Sequence, residues 1–189
     1  MTKDLSLGKH RRARVWLAEL PDAQVQGEQI LTFSIGAQGR SVESTRQAGL
    51  ELFIPVGPRT MYGLLAGTLT PGTEARLEVQ IAISERQEQL YRETMAMGYE
   101  HVCVGLPYEY AKALEQVVLA TAKQLKSLPV GKLWIDYAAH GRVGSNQRIF
   151  EHLTICLLKL LAMESADLSD ADLLTIFPNS FTEAPENVG

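Results

Sequence analysis

The clearest periodic pattern lies between residues 105 and 163, and it predicts a helix, a short strand and a second helix. In the first helix, apolar residues recur every three or four positions, a spacing that places side chains on one helix face. This stripe consists of Tyr110, Ala111, Leu114, Val117, Val118, Thr121, Ala122 and Leu125. Residues 133–137 have the β-branched and aromatic content of a strand, and residues 140–144 turn the chain. Pro107 suits the first turn of the first helix, and Ser145 suits the N-cap of the second.

The preceding residues alternate between apolar and polar side chains, which is the pattern of strands with one buried face. The predicted strands are residues 12–17, 30–35, 50–54, 61–69, 76–83 and 101–104. The cleanest is 76–83, in which every second residue from Leu77 to Ile83 is apolar. Gly63 and Gly67 interrupt the strand 61–69 and predict a bulge or a tight bend.

Four segments are less regular. Residues 1–11 are polar and are expected to be mobile. Residues 85–96 fit either a short helix or an ordered loop, because their apolar residues are only loosely spaced. Residues 169–172, Ser-Asp-Ala-Asp, are expected to cap one helical turn, and residues 178–189 to be loose.

Strands before residue 105 and helices after it predict an α+β domain with a mainly antiparallel sheet and two principal helices packed on one face. Within one domain we distinguish a β-rich part (residues 1–74), a β-α-β-α unit (75–163) and an acidic C-terminal tail (164–189). No internal repeat is apparent.

Composition places the chain among ordinary globular proteins, with 46% hydrophobic and 21% charged residues. No apolar run approaches the length that a bilayer requires, and no apolar segment follows the basic N-terminus as in a secretory signal. The two cysteines, Cys103 and Cys156, lie among apolar neighbours and are expected to be free. A cytoplasmic location without a membrane partner fits these features best.

The net charge of −4 is unevenly distributed. The first fourteen residues are rich in Lys and Arg, whereas none follows Lys159 and several carboxylates do. The basic head and the acidic tail are therefore expected to attract each other weakly.

Two sets of residues have side chains of the types that catalysis or metal binding requires. Asp136, His140 and Ser145 could form a catalytic triad by type, but a strand-end Asp, a turn His and an N-cap Ser explain them better. His152 and Cys156 have the i, i+4 spacing of two metal ligands, yet their apolar surroundings favour a core cysteine and a boundary histidine. We therefore predict no catalytic residue, no metal site and no cofactor.

Three short motifs follow one another in the second half. Residues 106–110 (Leu-Pro-Tyr-Glu-Tyr) open a helix, Pro129-Val130 leads into a strand, and residues 140–145 (His-Gly-Arg-Val-Gly-Ser) open the last helix, with Phe150 five residues on. In order and spacing these motifs resemble domain IV of the ribosomal translocase elongation factor G. The resemblance covers roughly residues 75–162, where the strand 76–83 would match the strand before that domain's helix.

The resemblance implies a fold and a link to the ribosome, but not the translocase's GTPase. No Gly-x-x-x-x-Gly-Lys-Ser/Thr motif occurs in the chain, so the phosphate-binding loop of that enzyme is missing. A shared fold alone does not transfer a role in translocation.

The sequence favours a non-enzymatic interaction module that self-associates or binds a protein partner, because no set of titratable residues converges. One alternative is an RNA- or ribosome-associated protein. Its nucleic-acid contacts would be Arg11, Arg12, Arg14, Arg142 and Arg148. Another alternative is a small enzyme whose site is assembled from distant residues.

Overall fold

The computed structural model describes residues 1–39, 41–121, 128–163 and 168–178, which form eight strands and three helices. In chain order these elements are β1 (Thr2–Ser6), β2 (Arg12–Leu17), β3 (Gln29–Gly36), β4 (Arg46–Val56), β5 (Arg59–Thr70), β6 (Arg76–Ile83), β7 (Val102–Val104), α1 (Tyr108–Thr121), β8 (Gly131–Gly141), α2 (Gln147–Ala162) and α3 (Asp170–Leu174).

The strands form one open sheet in the order β1-β2-β4-β5-β8-β6-β3, and β7 pairs with the end of β8. All of these pairs are antiparallel except β6 with β8, whose parallel connection contains α1. A crossover of this kind is how parallel neighbours are joined. The predicted α+β class with a mainly antiparallel sheet is confirmed.

One face of the sheet is covered by helices. Leu50 and Leu52 of β4 and Val79 of β6 belong to the same buried cluster as the apolar faces of α1 and α2. The helix residues in this cluster include Tyr110, Leu114, Val118, Ile149, Phe150, Leu153 and Leu157. Tyr110 stacks on Phe150 with ring centroids 4.7 Å apart, so the two helices also pack against each other.

The opposite face is covered by chain without regular secondary structure. Strand residues Phe53, Tyr62 and Leu64 form a second cluster with Tyr91 and Met95. Tyr91 and Met95 lie in residues 85–101, the connection between β6 and β7. Because strand side chains alternate between faces, both faces of the central strands are buried and a second covering layer is needed.

A bulge adjusts the pairing of β5 with β8. The register shifts between Ala66 and Gly67, so Asp136 of β8 has no direct partner on β5. Gly63 of the same strand faces α2, since a Cβ there would lie 2.8 Å from Leu153 Cδ1. The two glycines thus permit the bulge and the close approach of α2, and the predicted irregularity of this strand is confirmed.

Several local predictions change. Residues 1–11 were expected to be mobile, but they contain β1, which pairs with β2 from Thr2 to Ser6. Residues 85–96 contain no helix and form the ordered loop that was the alternative. His140 and Gly141 belong to β8 and not to the turn, because their pairing with β7 extends the strand.

One predicted helix end, the start of α2, differs from the structure by one residue. Ser145 was predicted as the N-cap of α2, but Asn146 has that role and its side chain accepts a hydrogen bond from Ile149 N. Both residue types are good caps, so the pattern could not choose between neighbours. Residues 169–172 cap α3 as expected, and Ser169 and Asp172 do so by forming a capping box. Ala122 and Leu125 of the predicted stripe, and residues 179–189 of the tail, lie outside the described residues.

The basic N-terminal segment and the acidic C-terminal tail contact each other through one described ion pair, Lys3 with Asp170. Lys3 Nζ of β1 lies 3.0 Å from Asp170 Oδ1 and donates a hydrogen bond to the carbonyl oxygen of Leu168 at 2.7 Å. The Asp170 side chain is exposed, so the pair contributes little to stability.

The bulge glycine provides a test of this packing. A methyl group on Gly67 would overlap the carbonyl oxygen of Trp134 in β8, a backbone atom that cannot rotate away. We expect Gly67→Ala to lower the free energy of unfolding by about 1–3 kcal/mol, measured by urea denaturation. Gly36→Ala is the control, because nothing lies within 4 Å of a Cβ there, and it should leave stability within about 1 kcal/mol. Equal losses in both variants would contradict the close packing at Gly67.

Candidate functional site

Residues 85–101 lie in the connection between β6 and β7 and run across the second face of the sheet. We call them the crossing segment. Its middle is hydrogen-bonded to β7: Tyr91 N donates to Val102 O at 3.0 Å and Val104 N to Gln89 O at 2.8 Å. Near its start, the Glu85 carboxylate accepts a hydrogen bond from Tyr108 N, the first residue of α1, at 2.7 Å. The segment is thereby fixed to neighbouring elements although it has no regular structure of its own.

A buried carboxylate holds the segment to the sheet. Glu51 of β4 is fully buried, and its Oε1 accepts hydrogen bonds from Tyr62 Oη and from Met95 N, both at 2.8 Å. Its Oε2 lies 3.5 Å from Nη1 of Arg14. Burial raises the pKa of Glu51, and the hydrogen bonds from Met95 and Tyr62 and the Arg14 charge offset this only in part.

Two arginines of β2 reinforce this attachment. Arg12 Nη2 donates to the carbonyl oxygen of Met95 at 3.0 Å, and its guanidinium lies 4.9 Å from the centre of the Phe53 ring. Arg14 Nη1 donates to the carbonyl oxygen of Glu93 at 2.8 Å, while Arg14 Nε pairs with Asp4 at 2.7 Å. Their side chains are therefore engaged within the fold.

An open cleft of about 1070 Å³ lies beside the crossing segment. One wall is the turn between β4 and β5, where Val56 pairs with Arg59 around Gly57-Pro58. Gly57 has φ of +60°, which fits glycine at the first position of a two-residue hairpin turn. The other walls are residues 90–102 of the crossing segment and β7, and residues 143–146 before α2.

Exposed apolar side chains are concentrated in this cleft. Nine large apolar side chains are exposed in the described part of the chain, and five of these line the cleft. The five are Val56, Leu90, Met97, Tyr99 and Val143, with exposure from 47% for Leu90 to 87% for Val143. The Tyr99 ring also rests against Phe53, with centroids 5.3 Å apart. Such a grouping differs from the scattered apolar residues of an ordinary surface.

Hydrogen bonds with two side chains fix the backbone of the turn before α2. Glu100 accepts hydrogen bonds from the backbone N–H groups of Val143, at 3.1 Å, and of Gly144, at 2.8 Å. Ser145 Oγ donates to Tyr62 O at 2.6 Å and accepts from Gly141 N at 2.8 Å. Val143 is thus presented to solvent by a turn whose backbone is held on both sides.

The rim of the cleft carries unpaired positive charge. Arg59 and Arg92 line it and are exposed, and within the described ranges no carboxylate forms an ion pair with either. Asn146, the N-cap of α2, also lines the cleft, so the positive end of that helix dipole faces it. The one carboxylate in the lining, Glu100, is already bonded to two N–H groups.

The residues with the chemistry of a triad are not arranged as one. His140 Nδ1 lies 3.1 Å from the carbonyl oxygen of Gly105, and burial lowers the pKa of His140. The hydroxyl of Ser145 donates to the carbonyl oxygen of Tyr62, so its proton is already committed. Asp136 lies at the bulge, where burial raises its pKa, and makes no hydrogen bond with His140.

Of the two residues considered as metal ligands, His152 is half-buried on α2, where burial lowers its pKa, and Cys156 is hydrogen-bonded within the core, as Cys103 also is. Cys103 Sγ donates to Gln87 O and Cys156 Sγ to Ile176 O, both at 3.3 Å. Burial raises the pKa of Cys156 to about 12. No group of three or more His, Cys, Asp or Glu side chains suited to a metal occurs among the residues that could be placed.

Three of the five arginines proposed for nucleic acid are hydrogen-bonded to the crossing segment. Arg12 and Arg14 are bonded to the crossing segment, and Arg142 Nη2 donates to Gln87 O at 3.2 Å. Arg148 is exposed in the first turn of α2, and Arg11 is half-buried before β2. The cleft itself was not predicted, although the exposed Met97 and Tyr99 within a polar stretch were a signal that could have indicated it.

Comparison of the chain with protein-family models, with curated proteins and with solved structures finds no match. Within the described parts of the chain, no helix has the length and apolar character needed to cross a membrane.

The buried carboxylate predicts a characteristic pH dependence. Because folding raises the pKa of Glu51, its protonated form contributes stability that is complete below the pKa of the unfolded chain and is lost as pH rises through the raised pKa. We expect the free energy of unfolding of the wild type, minus that of Glu51→Gln, to fall as the pH rises from about 4, near the usual pKa of a glutamate, through the raised pKa of Glu51. Urea denaturation across this range measures the difference.

Tyr62→Phe is the matched control for this measurement. It removes one hydrogen bond to Glu51 but keeps the carboxyl group, so its stability should retain the pH-dependent fall that Glu51→Gln lacks. A difference between wild type and Glu51→Gln that is constant with pH would show that this carboxyl group does not titrate with a raised pKa.

Proposed function

We propose that the chain is a non-enzymatic protein-interaction module whose cleft binds an acidic peptide segment with apolar side chains. The observation that carries this proposal is the concentration of exposed apolar side chains between the β4–β5 turn, the crossing segment and the turn before α2. Burying such side chains is favourable only when a partner removes them from water.

The shape of the cleft favours an extended partner segment. It is open and spans three separate elements, and its apolar side chains are distributed along it from Val56 to Val143. The turn carrying Val143 is held by Glu100, and the segment carrying Met97 is held through Met95 and Glu51. A cleft with fixed walls loses little conformational entropy on binding, which favours affinity.

The charges around the cleft favour an acidic partner. Arg59 and Arg92 have no carboxylate partner among the residues the structure describes, and the α2 N-terminus adds positive potential. Carboxylates of a bound segment would complement these groups, which supports selectivity and association rate more than affinity.

A non-enzymatic role is supported by the state of two polar groups in the lining. The Glu100 carboxylate and the Ser145 hydroxyl are both bonded to backbone groups. Neither has a neighbouring side chain that would activate it as a base or a nucleophile within the described hydrogen bonds.

The alternative of RNA binding has weaker support. Arg12 and Arg14 would have to leave Met95 O, Glu93 O and Asp4 to reach phosphates, and this would also loosen the crossing segment. Arg148 remains accessible, and Tyr99 offers an exposed ring beside the cleft. Short oligouridine is therefore included as a probe in the experiment below.

We further propose that residues 75–162 share the arrangement of domain IV of elongation factor G. The support is positional: Pro107 directly precedes α1, Pro129-Val130 directly precedes β8, and Ser145 lies next to the N-cap of α2. The proposed likeness rests on these element boundaries and on the order strand, strand, helix, strand, helix. The comparisons with known proteins do not contribute to it.

Selection from a displayed library of random peptides tests the proposed binding. We expect enriched peptides to combine apolar side chains with Asp or Glu, and to bind the purified chain in fluorescence anisotropy. Val143→Asp and Met97→Asp should each raise the dissociation constant by about tenfold or more, because loss of one central apolar contact costs about 1–2 kcal/mol. Arg59→Glu should weaken acidic peptides more than versions in which their acidic residues are replaced by Ser.

Leu119→Asp is the control variant, since Leu119 is an exposed apolar residue of α1 that does not line the cleft. It should bind the selected peptides as the wild type does. The proposal fails if no peptide is enriched, or if Val143→Asp and Leu119→Asp weaken binding equally. The RNA alternative would be favoured if oligouridine bound in a salt-sensitive way and no peptide competed with it.

A further inference from the structure

One edge of the sheet has no pairing partner among the described residues. Strand β3 lies at the end of the strand order and pairs with β6 on one side only. On its other side, no described residue forms a β-pair with it. Unpaired backbone groups at such an edge can hydrogen-bond to another strand. We propose that two copies of this chain associate by antiparallel pairing of their β3 strands around a two-fold axis at Phe33.

The register identifies the backbone groups that point outward. Ala37 N donates to Ala75 O at 3.1 Å, next to the pair Gly36 with Arg76. Since residues of an antiparallel pair alternate between bonded and non-bonded positions, the odd-numbered residues of β3 are bonded to β6. The N–H and C=O groups that face the open edge are therefore those of Ile30, Thr32, Ser34 and Gly36.

The strand lacks the features that protect edges. Its eight residues, Gln-Ile-Leu-Thr-Phe-Ser-Ile-Gly, include no charge and no proline. The opposite edge strand, β1, has five residues and carries Lys3 and Asp4. Charges and short length are the usual means by which an edge avoids pairing, so the two edges of this sheet differ in a way that matters.

The sequence of β3 is complementary to itself when reversed. Around Phe33, the polar Thr32 and Ser34 are equivalent positions, and the apolar Leu31 and Ile35 are equivalent positions. In an antiparallel pair centred on Phe33, each Thr32 would face Ser34 of the other copy, each Leu31 would face Ile35, and Phe33 would face itself. This symmetry favours a second copy over an unrelated strand, because a two-fold interface requires one surface to match itself.

Pairing would also bury apolar surface. Leu31, Phe33 and Ile35 are only partly buried and pack against the core from the helix side of the sheet. Ile30 is 58% exposed at the same edge. Roughly eight backbone hydrogen bonds would form in this register, and cross-strand apolar pairs and Thr–Ser contacts would add to them. The strand has no charge, so no like-charge repulsion opposes the approach of its copy.

This association does not depend on the cleft, whose lining includes no residue of β3. It can therefore be tested without any peptide, and the monomeric variants described next can be used to test the cleft separately.

Sedimentation velocity and light scattering across a wide concentration range measure the association of the full chain. We expect a monomer–dimer equilibrium or a stable dimer. Thr32→Lys combined with Ser34→Lys would place like charges opposite each other at two positions, so the dissociation constant should rise by about tenfold or more. Thr32→Lys combined with Ser34→Glu places opposite charges at the same positions and should restore the dimer.

Gln80→Lys is the control, because Gln80 is exposed on β6 beside Thr32 but not at the edge. It should leave the dissociation constant unchanged. Thr32→Pro removes an outward N–H group without removing a bond to β6, and it should also weaken the dimer. The free energy of unfolding of each variant, extrapolated to infinite dilution, establishes that the monomer remains folded.

A chain that stays monomeric at every concentration would overturn the proposal. So would a dimer that Thr32→Lys with Ser34→Lys leaves intact, because its interface would lie elsewhere. A dimer weakened equally by Lys-Lys and by Lys-Glu at residues 32 and 34 would exclude the register centred on Phe33.

Discussion

The carboxyl group of Glu51 is the interaction on which the second face of the sheet depends. It lies in the middle of β4 without solvent contact. It accepts hydrogen bonds both from Tyr62 of β5 and from Met95 of the crossing segment. A carboxyl group buried in this way is costly unless its hydrogen bonds are made. Removing the segment would take the Met95 hydrogen bond from Glu51 and would expose the aromatic side chains beneath it. The polar network and the apolar cover therefore stabilise each other.

This arrangement explains why a cleft can exist beside an irregular segment. Tyr91, Met95 and Ala96 turn inward and complete the second cluster, whereas Met97 and Tyr99 remain outside. Gly98, with φ of +84°, lies between the two outward residues, where the backbone adopts a conformation that suits glycine. The inward side chains of this short segment thus serve folding, whereas the outward ones are those assigned to recognition in the proposed function.

Much of the fold follows from local patterns. Strands β2 and β6 have the predicted bounds because an apolar residue recurs at every second position in each, although Trp16 and Ala82 add apolar residues between them. Helix α1 follows its apolar stripe as far as it is described. β1 was missed because an edge strand with Lys3 and Asp4 has no apolar face to reveal it. The predicted cap Ser145 differs by one residue from the observed Asn146, since both types cap helices well.

The cleft could not be predicted from such patterns. Its walls come from residues near 57, 97 and 143, and they meet only because Glu51 holds Met95 and Glu100 holds the turn at Val143. Both contacts join a side chain to a backbone N–H group more than forty residues away. Every residue except proline has a backbone N–H group, so the residue type does not reveal which one donates. No rule of sequence spacing could therefore have identified these two contacts.

The unequal edges of the sheet limit how far any assembly can grow. A sheet that offered two pairing edges could add copies indefinitely and polymerise into a fibre. Here β1 is short and charged, and its Lys3 pairs with Asp170, so it has features that oppose pairing and that β3 lacks. In the proposed dimer the β3 edge is occupied, so growth by edge pairing would end there and the uncharged strand would not become a template for filaments.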